Sequence, residues 1–141
     1  MNHNEHNETV ENIFPATHPA NLVAEKILDC AFKIHRLYGP GLLESTYEKI
    51  LFYELSQKLG LKTEYQKTLP IIHEGLKIDA GYRIDLLVDD KVIVELKCVE
   101  KILPIHEAQL ITYLKLSGMR LGLILNFKET LLKKGIRRLV V

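Results

Sequence analysis

No charge of one sign dominates this chain: its 141 residues carry 19 lysines and arginines against 18 acids, a formal net charge of +1. Composition therefore gives no bulk electrostatic argument for nucleic acid, and such a contact has to come from a local basic patch. Cysteine is scarce as well. Cys30 and Cys98 lie far apart and match neither a disulfide framework nor the spacing of metal ligands. No apolar run approaches the ~20 residues that span a bilayer. The opening MNHNEHNETVENIFPATHPAN has neither the basic flank nor the apolar stretch of a secretory signal. The expected setting is reduced and cytoplasmic, with no membrane partner. There is no internal repeat.

What is present suffices for one core. Hydrophobic residues make up 47% of the chain, enough for a single domain over residues 21–141. Residues 1–20, polar and rich in His and Asn, read as a disordered or loosely docked tail. Its histidines His3, His6 and His18 share no helical or strand spacing. In NLVAEKILDCAFKIHRLYG, Val23, Ile27, Cys30, Ala31, Ile34 and Leu37 recur at helical spacing, with Asn21 as cap and Gly39 as stop. PGLLESTYEKILFYELSQKLG predicts a second helix with Pro40 in its first turn, Gly60 at its end, and a face of Leu43, Tyr47, Ile50, Leu51, Leu55 and Leu59.

The period then changes to two. LKTEYQKTLPIIHEG predicts a strand bending at Pro70, LKIDAGYRIDLLV a second, and KVIVELKCV a third. A helix follows from about Ile105 to Ser117, stopped by Gly118, then the apolar strand MRLGLILNF and a last helical turn or two with a short strand. The order α-α-β-β-β-α-β predicts an α/β fold, a mixed sheet flanked by helices.

Alternation sharpens the two central strands. Val92, Val94, Leu96 and Cys98 share an apolar face, while Ile93, Glu95, Lys97 and Val99 share the other. On the preceding strand Tyr82, Ile84, Leu86 and Val88 alternate with Gly81, Arg83, Asp85 and Leu87. A two-residue turn at Asp89-Asp90 would set Asp85 opposite Val94 and bury a carboxylate in the core. A three-residue connection, Asp89-Asp90-Lys91, sets Val88 opposite Val92 and Asp85 opposite Glu95, keeping both apolar faces intact. The odd-length connection is the one predicted.

That register gathers Asp85, Glu95 and Lys97. Facing carboxylates repel, and two resolutions stay open: a cross-strand salt-bridge network, or a hard divalent cation held by carboxylate oxygen. On the third helix His106, Gln109 and Tyr113 form one stripe, with Ile105, Ala108, Leu110, Ile111 and Leu114 towards the core. The stripe reads either as an amphipathic boundary or as an amide and a phenol beside the charged strands. Glu44 lies near the N-terminus of the second helix, where the macrodipole stabilises a carboxylate, and reads as a helix-start residue or as a ligand. Cys98 reads as inert core, and His106 as a surface residue at a helix start.

Together GLLESTY (Gly41, Glu44, Tyr47), YRIDLLV, VIVELK, QLITYLK and the strand ending in LNF resemble the GxxExxY family, small proteins assigned to the PD-(D/E)XK nuclease superfamily. The resemblance covers about residues 22–141 and implies a restriction-endonuclease-like core. It makes Asp85 and Glu95 the two acids and metal ligands, joined by the Leu96 carbonyl. Lys97 becomes the motif lysine, Glu44 the helical acid and further ligand, and Gln109 with Tyr113 the Q-x-x-x-Y element. Ile84 stands where the motif's name has proline, and LNFK lacks a glycine after Asn-Phe.

The resemblance implies a nuclease dependent on Mg²⁺ (or Mn²⁺) that hydrolyses phosphodiester bonds in DNA. Lys97 would orient water or donate to developing charge, and Arg83, Lys77, Lys101 and Lys115 would contact phosphates. The alternative is a non-catalytic or partner-dependent binding module that retains the fold, for which a homodimer or a partner protein is the natural context in so small a domain. A third reading makes the charged face a subunit interface.

Overall fold

The computed structural model describes residues 14–141; His3 and His6 lie outside them. Helix α1 spans Pro19–Tyr38, and α2 spans Glu44–Tyr53, continuing through a wider π-type turn at Glu54–Lys58. Strands follow at Thr63–Thr68 (β1), Ile71–His73 (β2), Leu76–Ile78 (β3), Arg83–Val88 (β4) and Val92–Lys97 (β5). Helix α3, Pro104–Ser117, leads to β6, Leu121–Asn126, and a short 3₁₀ turn precedes β7, Ile136–Val140. Five strands form one mixed sheet in the order β1-β4-β5-β6-β7, and only the β5–β6 pair, bridged by α3, is parallel.

The sheet is packed on both sides. Leu86, Val88, Val92, Val94, Leu96, Leu121, Leu123 and Leu125 meet α1 and α2 through Val23, Ile27, Ile34, Tyr47 and Leu51. On the other face Leu87, Ile93 and Ile124 meet Leu110, Tyr113 and Leu114 of α3. A Cβ at Gly122 would lie 2.8 Å from the Leu110 side chain. Its missing side chain is what lets α3 sit so close to β6.

The β4–β5 hairpin has the predicted register: Val88 pairs with Val92, Leu87 with Ile93 and Leu86 with Val94. Asp89 and Asp90 adopt left-handed φ values of 54° and 53°, and the Lys91 amide returns to the Val88 carbonyl at 3.0 Å. Aspartate tolerates this conformation better than most non-glycine residues.

Several boundaries differ from those predicted. Helix α1 starts at Pro19 because His18 caps it, Nδ1 accepting from the Ala20 amide at 3.1 Å. Asn21 instead donates its amide to the Pro15 and Ala16 carbonyls. Phe14 is buried and stacks on the His18 ring. Pro40 lies outside α2, which begins only at Glu44 with Leu43 as its extended cap residue. The single strand predicted over 76–88 is two. Leu76–Ile78 turns back on Ile71–His73 as a separate hairpin, and the chain re-enters the sheet at Arg83 after Gly81, whose φ is 77°. Leu37, Leu43, Leu59 and Ile105, read as facing the core, are exposed, as is Ala108.

One buried polar residue ties the end of the sheet together. Asn126 is fully buried; its amide donates to the Val99 carbonyl at 2.8 Å and its oxygen accepts from the Val99 amide at 3.1 Å. The Phe127 amide donates to the Lys97 carbonyl at 3.0 Å. The chain just past Lys97 is therefore held by β6. Asn126→Ala orphans both Val99 backbone groups and should cost about 2 kcal/mol, read as a lower urea midpoint at unchanged slope. A loss under about 0.5 kcal/mol would mean that water replaces the amide.

Candidate functional site

Where β4 and β5 cease to pair through their backbones, two carboxylates take over. Continued by one step, the register sets Asp85 opposite Glu95. The Asp85 amide donates to Glu95 Oε2 at 2.9 Å, and the Leu96 amide donates to Asp85 Oδ2 at 2.9 Å. Each acid thus occupies a hydrogen-bonding position that a strand carbonyl would otherwise fill. Glu95 is buried, and its pKa is pushed up to about 8, first by burial and then by the charge of Asp85, with Lys97 pulling the other way.

A third strand and α2 close this corner. Gln66 lies between Tyr65, paired with Leu86, and Lys67, paired with Ile84, so it stands beside Asp85 in register. Its φ is 49°, a conformation unusual for glutamine in a strand. From there its amide nitrogen donates to Asp85 Oδ1 at 3.2 Å and to Glu48. Glu48 is buried on α2, one turn beyond Glu44; burial raises its pKa, the Gln66 bond opposes this, and Asp85 and Glu44 add to the rise. The Tyr65 phenol nearby also offsets a little of the rise.

Tyr47 sets where α2 begins. Its ring stacks on Phe127 at 4.4 Å, its hydroxyl donates to the Gly39 carbonyl, and it accepts from the Leu42 amide at 3.0 Å. The loop before α2 is thereby folded onto the core, and Glu44 Oε1 reaches the Cys98 amide at 3.0 Å, just past Lys97. The three named positions of GLLESTY have distinct parts: Tyr47 anchors, Glu44 touches the end of β5, and Gly41 lies exposed between. Cys98 packs against the core, and burial pushes its thiol pKa up.

From the opposite face, α3 brings Gln109 and Tyr113, joined by a bond of 3.1 Å from amide nitrogen to phenol. Burial raises the Tyr113 pKa, and the charges of Glu95 and Asp85 raise it further. Lys97 ends β5, half-buried, and forms no salt bridge with a carboxylate among the described residues. His106 takes no part in the pair: its Nδ1 accepts from the Leu103 amide at 2.9 Å and caps α3. Lys77, Arg83, Lys101 and Lys115 are exposed.

Glu48 and Gln66 escaped the sequence reading. Glu48 had a usable signal, four residues after Glu44 and so on the same helix face. Gln66 had none, because nothing in TEYQKT marks a left-handed residue.

Among the described residues no group of three or more His, Cys, Asp or Glu side chains is arranged to hold a metal ion. Asp85 and Glu95 form a two-carboxylate set, while Glu44 is engaged at the Cys98 amide. Hard oxygen donors suit Mg²⁺ or Mn²⁺. A buried carboxylate with a second acid beside it and no salt-bridge partner is a place where a cation would relieve repulsion.

The sign of the resulting pH dependence follows from Glu95. Unfolded, it loses its proton near its ordinary 4.5; folded, near 8. Between these values the native state holds the extra proton, so the contribution of Glu95 to metal-free stability is full below about pH 4.5 and is lost as pH rises towards about 8. Glu48 shifts in the same sense. Glu95→Gln should flatten this slope and stabilise the metal-free protein by about 1–2 kcal/mol near pH 8, measured by thermal unfolding in chelator. An unchanged slope would mean that Glu95 is charged and already compensated.

Comparison with known proteins bears on these residues together. Among the described residues no helix is long and apolar enough to cross a membrane. Neither curated proteins nor solved structures give a significant match. A family model described as the PD-(D/E)XK nuclease superfamily matches residues 21–139, from α1 to β7, with the paired acids, Lys97 and the mixed sheet inside it. The chain belongs to the PD-(D/E)XK nuclease superfamily.

Proposed function

We propose that this protein is a divalent-metal-dependent nuclease that hydrolyses phosphodiester bonds in DNA at the Asp85–Glu95 pair, and that within its superfamily it falls in the GxxExxY group. The observation that carries the reading is the placement of two facing carboxylates, one of them buried, where β4 and β5 part, with Lys97 two residues beyond the second acid.

Asp85, Glu95 and the Leu96 carbonyl would hold Mg²⁺ or Mn²⁺, with Glu44 as a further carboxylate at the same end of β5. Bound there, the cation would supply charge relief to the phosphoryl oxygens and acidify water. The chain's own groups do the rest. Lys97, without a salt bridge among the described residues, offers its ammonium to the attacking water or to charge developing on the phosphate. Gln66 holds Asp85 in place, and on α3 Gln109 orients the Tyr113 phenol. Exposed Arg83, Lys77, Lys101 and Lys115 supply phosphate contacts that position the strand without reading its sequence.

A second reading is a module that keeps the fold but acts through a partner protein or as a homodimer. The net charge of +1 favours it, since so little positive charge gives weak non-specific affinity for DNA.

Cleavage of a mixed panel of single-stranded, duplex and branched DNA in Mg²⁺ or Mn²⁺ separates the two. Asp85→Asn and Lys97→Ala should each reduce the rate by about 10²-fold or more while circular dichroism stays unchanged. Cleavage that persists in both folded variants would remove the pair from the chemistry. A wild type without cleavage on any member of the panel would leave the module reading.

A further inference from the structure

On the α3 side of the sheet, where the segment entering β4 meets Tyr113, lies a recess of about 140 Å³ lined by Ile71, Tyr82, Gln109, Thr112, Tyr113 and Leu116. We propose that it takes one unpaired nucleobase next to the phosphate that is cut, so that the substrate strand is single-stranded DNA; this rests on the nuclease reading.

Tyr82 is the central observation. It lies three residues before Asp85, in the segment that enters β4, and the residue is 41% exposed. An exposed tyrosine alone is ordinary; its support is not. The Leu69 amide donates to the Tyr82 carbonyl at 2.8 Å, which fixes the backbone, and the ring meets Tyr113 edge-on at 6.3 Å and 64°. An edge-on contact leaves ring face open for a planar partner. Tyr113 in turn feels the charges of Glu95 and Asp85, so a base on Tyr82 would keep its own backbone close to the pair.

Size and chemistry agree with one base. The recess is well below the ~300–1,000 Å³ of a drug-sized ligand site. Ile71 and Leu116 supply apolar wall. Gln109 gives one N–H to Tyr113, leaving its carbonyl oxygen for a donor on a base edge, and the Thr112 hydroxyl, which donates to the Ala108 carbonyl, keeps its acceptor capacity. Exposed Arg83 and Lys115 flank Tyr82 and Leu116 in sequence and can meet phosphates on either side.

The charge balance points the same way. A duplex-binding domain draws its affinity from many phosphate contacts, which a chain of net charge +1 provides poorly. Stacking on an aromatic ring needs no excess charge and serves any base. A paired base offers no open face, so the recess selects unpaired strands.

Fluorescence anisotropy in Mg²⁺ tests this, in a Lys97→Ala background that suppresses cleavage, with labelled oligothymidylate and a blunt duplex of equal length. Single strand should bind about tenfold or more tightly than duplex, Tyr82→Ala should weaken single-strand binding about tenfold, and Tyr82→Phe should restore it. A 2-aminopurine placed at the cleavage position should be quenched by the Tyr82 protein and not by the Ala variant. Equal affinity for both DNA forms, or no effect of Tyr82→Ala, overturns the base recess and leaves the nuclease reading standing on Asp85-dependent cleavage. Failure to bind either DNA overturns both.

Discussion

The structure turns on one exchange of hydrogen bonds. At the step where the β4–β5 ladder would continue, the Asp85 amide takes the Glu95 carboxylate and the Leu96 amide takes the Asp85 carboxylate. The arrangement satisfies two backbone donors, and it forces two acids together in a partly dry place. Left without a cation it is costly, because burial and the charge of Asp85 both disfavour the ionised form of Glu95. Gln66 on the neighbouring strand bonds Asp85 directly, while Asn126 fixes the chain just past Lys97 and Gln109 bonds the Tyr113 phenol on α3. Proteins place such strain where function requires it.

The pair exists because of a connection of three residues. Asp89-Asp90-Lys91 fixes Val88 against Val92, and period-two alternation does the rest. Removing one residue from that turn would exchange faces along a whole strand. It would put one acid among Leu86, Val94 and Leu96, inside the core shared with α1 and α2. The hydrophobic core thus specifies the polar site.

This part of the molecule was legible because alternation and turn length are both countable. VIVELK shows a clean apolar face and Leu86 and Val88 match it, so only one loop parity fits; Ile84, expected on that same face, packs instead with Leu87 on the α3 side, because the alternation breaks at Asp85. The superfamily was legible too, from ordered motifs that the match over residues 21–139 supports. What the sequence hid has physical reasons. Gln66 adopts a left-handed φ to reach Asp85 and Glu48, and a side chain's reach leaves no periodic trace. The break between Ile78 and Arg83 looked continuous because LKIDAGYRI is apolar enough to pass for strand. Leu43 and Ile105 are exposed although they sit at helical spacing, since spacing ranks faces but does not say where the core stops. Pro40 suited a helix start, yet the Tyr47 anchor folds residues 39–42 into a loop, and α2 begins at Glu44.

The most direct test of the central claim, that the parted strands form a cation site, is calorimetric titration of Mn²⁺ into the wild type and into Asp85→Asn/Glu95→Gln at about pH 7. The account predicts binding by the wild type with proton release, because the ion displaces the proton held by Glu95, and no binding by the double variant. Equal binding by both proteins, or wild-type binding without proton release, would contradict it.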